Sequence, residues 1–226
     1  MEKKIPIALQ NLNYNEGQVL LIDKPYKWSS FQALKKVKYS LKIAKIGHAG
    51  TLDPLATGLL ILCTGKKTKE IDRYQAQEKE YTGTLVLGKT TPSVDLEKEF
   101  DAEYPTEHIS SEDLEKVRKQ FTGEIEQTPP IFSAVKQDGK RLYELARKGQ
   151  ETEIKSRIVH IKELEFTNTQ NFPEIDFRVI CSKGTYIRSL VRDIGTALHS
   201  GAYLKALRRT RIGEFCVENA WQIENW

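Results

Sequence analysis

The residues able to do chemistry concentrate in one stretch, Gly47-His48-Ala49-Gly50-Thr51-Leu52-Asp53-Pro54-Leu55-Ala56-Thr57-Gly58, where three glycines surround one histidine and one aspartate. Glycine lets the backbone turn or approach a ligand without a Cβ clash, and the proline after Asp53 restricts that residue to extended or turn geometry. A carboxylate is thereby held firmly at a pocket wall, where its ionised form can act as nucleophile or as base. On these residues alone an ordinary surface loop with an Asp-Pro turn is the commoner reading. Two further side chains stand out. Tyr81 shares a strand face with Gly83, Leu85 and Leu87, which aims it inward. A buried tyrosine most often simply packs with its hydroxyl satisfied, but at the edge of a pocket its ring is also a platform on which a nucleobase can stack, worth about 1–3 kcal/mol per base. Arg188 falls in the first turn of an expected helix, where a cation opposes the positive end of the helix dipole by roughly 0.3–1 kcal/mol. It calls for an anion nearby: an RNA phosphate, a surface carboxylate, or Asp53.

Other chemistries are excluded. A phosphate-binding loop around Gly65-Lys66 would need glycine at Leu60 and serine or threonine at Lys67. Cys63, Cys181 and Cys216 are odd in number, widely spaced and set among apolar neighbours, which fits buried reduced thiols and offers no metal-ligand spacing. There is no membrane-length apolar run and no signal-peptide pattern, so a cytoplasmic location is expected. The 226 residues, 39% hydrophobic and 29% charged, fit an ordinary globule. Net charge is only +4, but it is segregated: seven lysines and no acid lie between Lys24 and Lys45, and residues 205–211 form a second basic cluster. Such segregation can focus a polyanion onto one face, although a solvated lysine face reads as well.

The positioning elements follow from periodicity. Val19-Leu20-Leu21-Ile22-Asp23 reads as a strand ended at Lys24-Pro25. A helix should follow, with Ser29 and Gln32 as a capping box, Phe31, Leu34, Val37 and Leu41 inward, and Lys35, Lys36, Lys38 and Lys42 wet. Residues 59–63 form a short buried strand, and Gly65 opens a helix. Residues 79–88 form a strand, and residues 111–121 a peripheral helix. Double proline, an Asp-Gly turn signal and a short basic helix closed by Gly149 make residues 127–149 a projecting segment. Ile175, Phe177, Val179 and Cys181 share one strand face, and Ser182-Lys183-Gly184 turns the chain into a helix with Ile187, Leu190, Val191, Ile194 and Leu198 apolar.

These stretches resemble the TruB family of tRNA pseudouridine synthases. The family's signature Gly-His-Thr-Gly-Thr-Leu-Asp-Pro-Leu-Ala-Thr-Gly differs only at Ala49; the guide-RNA enzymes, which usually carry Lys-Val at Leu55-Ala56, resemble it less. Asp23-Lys24-Pro25 with Ser29-Ser30 is similar to the first motif, with Lys27 replacing a glycine and Ser29 a threonine. Lys79-Glu80-Tyr81 fits Lys-x-Tyr, and residues 127–147 resemble the RNA-gripping thumb. The run from Cys181 to Asp193 resembles the third motif, and Leu204 to Gly213 the closing pattern. Residues 90–98 match poorly, leaving Asp95 a weak candidate.

The resemblance implies an α+β pseudouridine synthase fold: a central, mostly antiparallel mixed sheet flanked by helices, residues 1–226 forming one catalytic domain without a C-terminal PUA-type domain. It implies isomerisation of uridine 55 in the T loop of tRNA, with Asp53, Tyr81 and Arg188 catalytic and Arg188 paired to Asp53. His48, Lys24, Tyr186, Lys136, Arg141 and Arg147 would bind substrate. The reaction adds no group and changes no redox state, so no cofactor or metal is expected. The expected partner is the tRNA stem-loop, read by shape and backbone. A monomer acting without a guide RNA or obligate protein partner should suffice. The alternative is a non-catalytic tRNA-folding chaperone.

Overall fold

The structure, a computed structural model, describes residues 5–130, 136–137, 140–141 and 154–226. Its strands are β1 (Val19–Lys24), β2 (Ile46–His48), β3 (Thr57–Thr64), β4 (Lys79–Leu87), β5 (Lys89–Thr90), β6 (Ala102–Glu103), β7 (Gly123–Gln127), β8 (Lys136–Gln137), β9 (Lys140–Arg141), β10 (Arg157–Asn168), β11 (Glu174–Cys181), β12 (Ala202–Ile212), β13 (Phe215–Cys216) and β14 (Trp221–Gln222). Its helices are α1 (Ile7–Gln10), α2 (Ser30–Ser40), α3 (Ile71–Gln75), α4 (Ser111–Gln120) and α5 (Ile187–Ala197). The main sheet is mixed and mostly antiparallel: β1–β3, β2–β3, β7–β10, β10–β11 and β12–β13 pair antiparallel, β1–β14 and β3–β12 parallel. The α+β class expected from the sequence is observed.

The chain divides into two compact units, Met1–Thr82 with Leu207–Trp226, and Gly83–Ala206. In the first, the strand order is β14-β1-β3-β12. Strand β3 has core on both faces: Leu60 and Leu62 pack with Leu20, Ile22, Val37 and Trp226, while Leu59, Ile61 and Cys63 pack with Ala49, Tyr74 and Ile212. That double burial is why residues 59–63 read as an unbroken apolar run instead of an alternation. Helix α2 starts at the expected capping box, Ser29 with Gln32. Its inward face is Ser30, Ala33, Leu34 and Val37, however, and Phe31 is 56% exposed, contrary to its expected place in the apolar stripe. The inward slot of the first turn belongs to Ser30, which turns Phe31 outward. Gly65 opens a 3-10 turn, Gly65–Glu70, that runs into α3.

The second unit has the order β4-β11-β10-β7. On β11, Ile175, Phe177, Val179 and Cys181 are all buried, as alternation predicts, and Ile187, Leu190, Val191, Ile194 and Leu198 bury the apolar face of α5. Helix α4 carries its own capping box, Ser110 with Asp113, and packs through Leu114 and Val117. Within the expected projecting segment, β8 and β9 pair antiparallel on either side of Asp138-Gly139. The expected basic helix and Arg147 lie outside the described residues.

The second basic cluster is largely paired within the chain. It lies on β12, where Arg208 pairs with Asp23 at 2.7 Å, Arg211 with Glu78 at 3.1 Å and Lys205 with Glu174 at 2.5 Å, while Arg209 is buried. These cations are matched by acids of the chain, while Lys205 and Arg208 keep 44% and 39% of their side chains exposed.

Candidate active site

In the first unit, Asp53 sits half-buried in a loop held from several elements at once. Upstream, His48 on β2 is paired with Leu62, and the Ala49 amide donates to the Ile61 carbonyl at 2.9 Å. The Ser30 hydroxyl, at the start of α2, accepts from the Leu52 amide at 2.8 Å and lies 3.2 Å from the Leu52 carbonyl as its donor. Lys24 Nζ, at the end of β1, donates to the carbonyls of Pro25 at 2.8 Å, Trp28 at 2.5 Å and Pro54 at 3.3 Å. Arg209 donates from Nη1 to Thr51 O at 3.2 Å and from Nε to Leu59 O at 2.7 Å. The residues on both sides of Asp53 are therefore tied to α2, β1 and β12. The Ala56 amide closes the turn on the Asp53 carbonyl at 3.1 Å. At Gly58, φ is +102° and an added Cβ would lie 2.3 Å from the Arg209 carbonyl, so no side chain fits where β3 starts against β12.

Two cations are buried beside this carboxylate. Lys24 is fully buried, and desolvation pushes its pKa down to about 8 while the nearby Asp53 carboxylate pulls it up and Arg209 pushes it down. Arg209 is 2% exposed, and its buried Nη2 has no hydrogen-bond partner among the described residues. Burial also lowers the pKa of His48, with Arg209 adding to the effect, which favours the neutral imidazole. Tyr81, on β4, is 8% exposed.

In the second unit, Arg188 is 5% exposed in the first turn of α5. Its Nη1 donates to Ser93 O at 3.0 Å, and its Nε lies 3.8 Å from the buried Asp95 carboxylate. Asp95 supplies an anion of the kind that a cation at a helix N-terminus demands. Between them Val94 has φ of +60°, a backbone conformation costly for a β-branched residue, and it is fixed by Val94 N to Thr91 O at 3.0 Å and Leu204 N to Val94 O at 2.9 Å. Tyr186, the N-cap residue of α5, is anchored by Gln127, which accepts from Tyr186 N at 2.7 Å and donates to Tyr186 O at 3.1 Å. Ser189 and Arg192 both donate to Thr128 O, at 2.8 and 3.0 Å. The root of the projecting segment is thus fastened to the helix that carries Arg188. The Tyr186 ring is covered by the Arg157 guanidinium, 4.7 Å from its centroid.

Residues 38–187 match the TruB family pseudouridylate synthase (N terminal domain), and residues 188–225 match the tRNA pseudouridylate synthase B C-terminal domain. The chain belongs to the TruB family. A relative from Flavobacterium johnsoniae named tRNA pseudouridine synthase B is 61% identical over 217 residues, covering 93% of this chain and 94% of that protein. One of the same name from Phocaeicola vulgatus is 55% identical, covering 95% and 94%. Among solved structures, a chain of a Cbf5-Nop10-Gar1 complex is similar with TM-score 0.72 and 30% identity, covering 97% of this chain. This chain spans 55% of the length of that one.

Within this TruB-family chain, the loop chemistry brings Lys24, His48 and Asp53 together in the first unit. Lys136 and Arg141 have described backbone only, on β8 and β9. Two residues outrank their sequence reading. Asp95, in a stretch that matches the family poorly, is buried with its carboxylate 3.8 Å from Arg188 Nε. Arg209, read as part of a surface cluster, is buried against the Asp53 loop. Alternation back from buried Ile212 would have turned Arg208 inward instead, so only the place of Arg209 in the closing motif could have flagged it.

Proposed function

We propose that this TruB-family chain isomerises uridine to pseudouridine at position 55 in the T loop of tRNA, the whole chain working as one catalytic domain with residues 127–149 gripping the RNA. The observation that carries the reading is the 61% identity, over nearly the full length of both chains, to a protein named tRNA pseudouridine synthase B. The bracing of Asp53 by Ser30, Lys24 and Arg209 supports it, because a reacting carboxylate must be held in place without help from substrate.

In the reaction the N1–C1′ bond of uridine breaks, the uracil turns, and C5 joins C1′; the C5 proton leaves and N1 ends protonated. Extruding the stacked uridine costs a few kcal/mol and is helped by a side chain that supports the vacated space, the role given to His48. A neutral, half-buried imidazole can take that place without desolvating a charge. Asp53 acts ionised, as nucleophile on the sugar carbon or as base toward a ribose proton. Arg188 is assigned, from the motif resemblance, as the guanidinium that favours the ionised form; a closed site would otherwise drive the carboxyl to protonate. Tyr81 is assigned as the ring against the flipped base. Tyr186, Lys136, Arg141 and Arg147 are assigned to RNA, and Lys24 to the support of the loop. The enzyme is taken to act in the cytoplasm as a monomer on tRNA alone, with no guide RNA.

The test is tritium release from tRNA labelled at uridine C5, using the purified chain alone. Release that disappears when position 55 alone is cytidine supports the assignment. Tight tRNA binding with no release would replace it with a chaperone role.

A further inference from the structure

The outward face of α2 combines cations and aromatic rings that the fold itself does not use. Lys24 is committed to the Asp53 loop and Lys36 to the Trp226 carbonyl. Lys27, Lys35, Lys38, Lys42 and Lys45 have no carboxylate partner among the described residues. Six lysines elsewhere, Lys66, Lys67, Lys89, Lys116, Lys119 and Lys205, each lie 2.5–3.4 Å from a carboxylate. Five unpaired cations on one short stretch repel one another, and an external polyanion is what relieves that.

Aromatic rings of the same stretch are exposed as well. Tyr26, Phe31 and Tyr39 are 50%, 56% and 71% exposed. Lys35 Nζ lies 4.7 Å from the Phe31 centroid and Lys27 Nζ 5.7 Å from that of Tyr26. Phe31, Lys35 and Lys38 fall at i, i+4 and i+7, one stripe of a helix, with Tyr39 beside them and Lys42 just past the C-cap. An exposed phenylalanine gains nothing from the core, whereas rings interleaved with lysines suit nucleic acid, whose bases stack and whose phosphates pair. The stripe begins next to Ser30, the residue bonded to Leu52 beside Asp53. At about 1.5 Å per residue, α2 extends about 15 Å from that anchor to Ser40.

We propose that this face of α2 is an RNA-docking surface, which holds the tRNA backbone and an accessible base outside the target loop. The proposal rests on the tRNA reading above and adds where part of the affinity resides. A polyanion is favoured over a protein partner because five like charges with no interspersed acid offer a protein surface little to pair with besides acids.

Two variants separate its components. Lys35→Gln/Lys38→Gln/Lys42→Gln removes charge, and Phe31→Ala/Tyr39→Ala removes stacking. Lys66→Gln/Lys116→Gln/Lys119→Gln is a control with the same charge loss at paired sites. Thermal melts confirm folding, and the dissociation constant for an unmodified tRNA transcript is measured by filter binding between about 50 and about 200 mM salt. The lysine variant is expected to bind more weakly, with the slope of log Kd against log salt shallower by about two. The aromatic variant is expected to bind about five-fold or more weakly at every salt concentration with the slope preserved. The control should match the parent. Parental affinity and slope in both test variants would overturn the proposal, and so would a change confined to self-association in sedimentation. Absence of tritium release from the parent would refute the activity while leaving this comparison of affinities intact.

Discussion

Arg188 Nε and Asp95 Oδ2 lie 3.8 Å apart, both side chains almost wholly buried, with the Arg188 Nη1 bonded to Ser93 O at 3.0 Å. A buried guanidinium at a helix N-terminus is held against both desolvation and the dipole by that carboxylate and carbonyl. Asp95→Ala should therefore lower stability in urea unfolding by about 1–3 kcal/mol, because it removes one of the groups set against a buried guanidinium. Turnover should fall with it, since Arg188 loses its fixed position. A double-mutant cycle with Arg188→Ala checks this: the two losses should be far from additive.

Lys24 titrates near pH 8, below the ordinary lysine value of 10.5, with burial the chief cause and Asp53 opposing it. Replacing Asp53 by Asn removes the opposing charge, so the Lys24 pKa should drop below about 8, read from the Cε resonance of lysine-labelled protein. Because the folded pKa lies below the unfolded one, unfolding takes up a proton between about pH 8 and 10.5. The contribution of this one group therefore makes the fold more stable as pH rises through that window. Lys24→Met should remove that component of the pH dependence.

Ser30 holds both the amide and the carbonyl of Leu52. Ser30→Ala leaves a buried N–H unpaired, at a cost of about 1–3 kcal/mol. The larger effect is expected on kcat, about ten-fold or more, because displacement of a reacting group by an ångström can cost about a hundred-fold. The Kd for tRNA should change little, and pre-steady-state measurement at saturating tRNA distinguishes the two.

Much of this was legible in the residues. The Asp53 loop and the Arg188 helix were located by motif, and the strand alternation Leu20, Ile22, Lys24 already points Lys24 inward, as the burial of β1 shows. The capping box at Ser29 and Gln32 announces α2 because it depends on local contacts alone. What the sequence hid depends on distant partners. The inward slot of the first turn of α2 goes to Ser30 because Leu52 bonds it, which no periodicity within the helix reveals. Arg208, Arg209 and Arg211 look like a solvated patch until Asp23, Glu78 and the loop carbonyls arrive from elsewhere in the chain. Asp95 is legible only once the Val94 backbone and the Leu204 amide are seen to fix its loop.

The central claim is that Asp53 performs the chemistry and is not needed for binding. Single-turnover conversion of uridine 55 by the Asp53→Asn variant, at enzyme concentrations above Kd and with Kd measured on the same tRNA, tests it most directly. The account predicts tRNA affinity within a few-fold of the parent and no detectable pseudouridine. Conversion at the parental rate would contradict it.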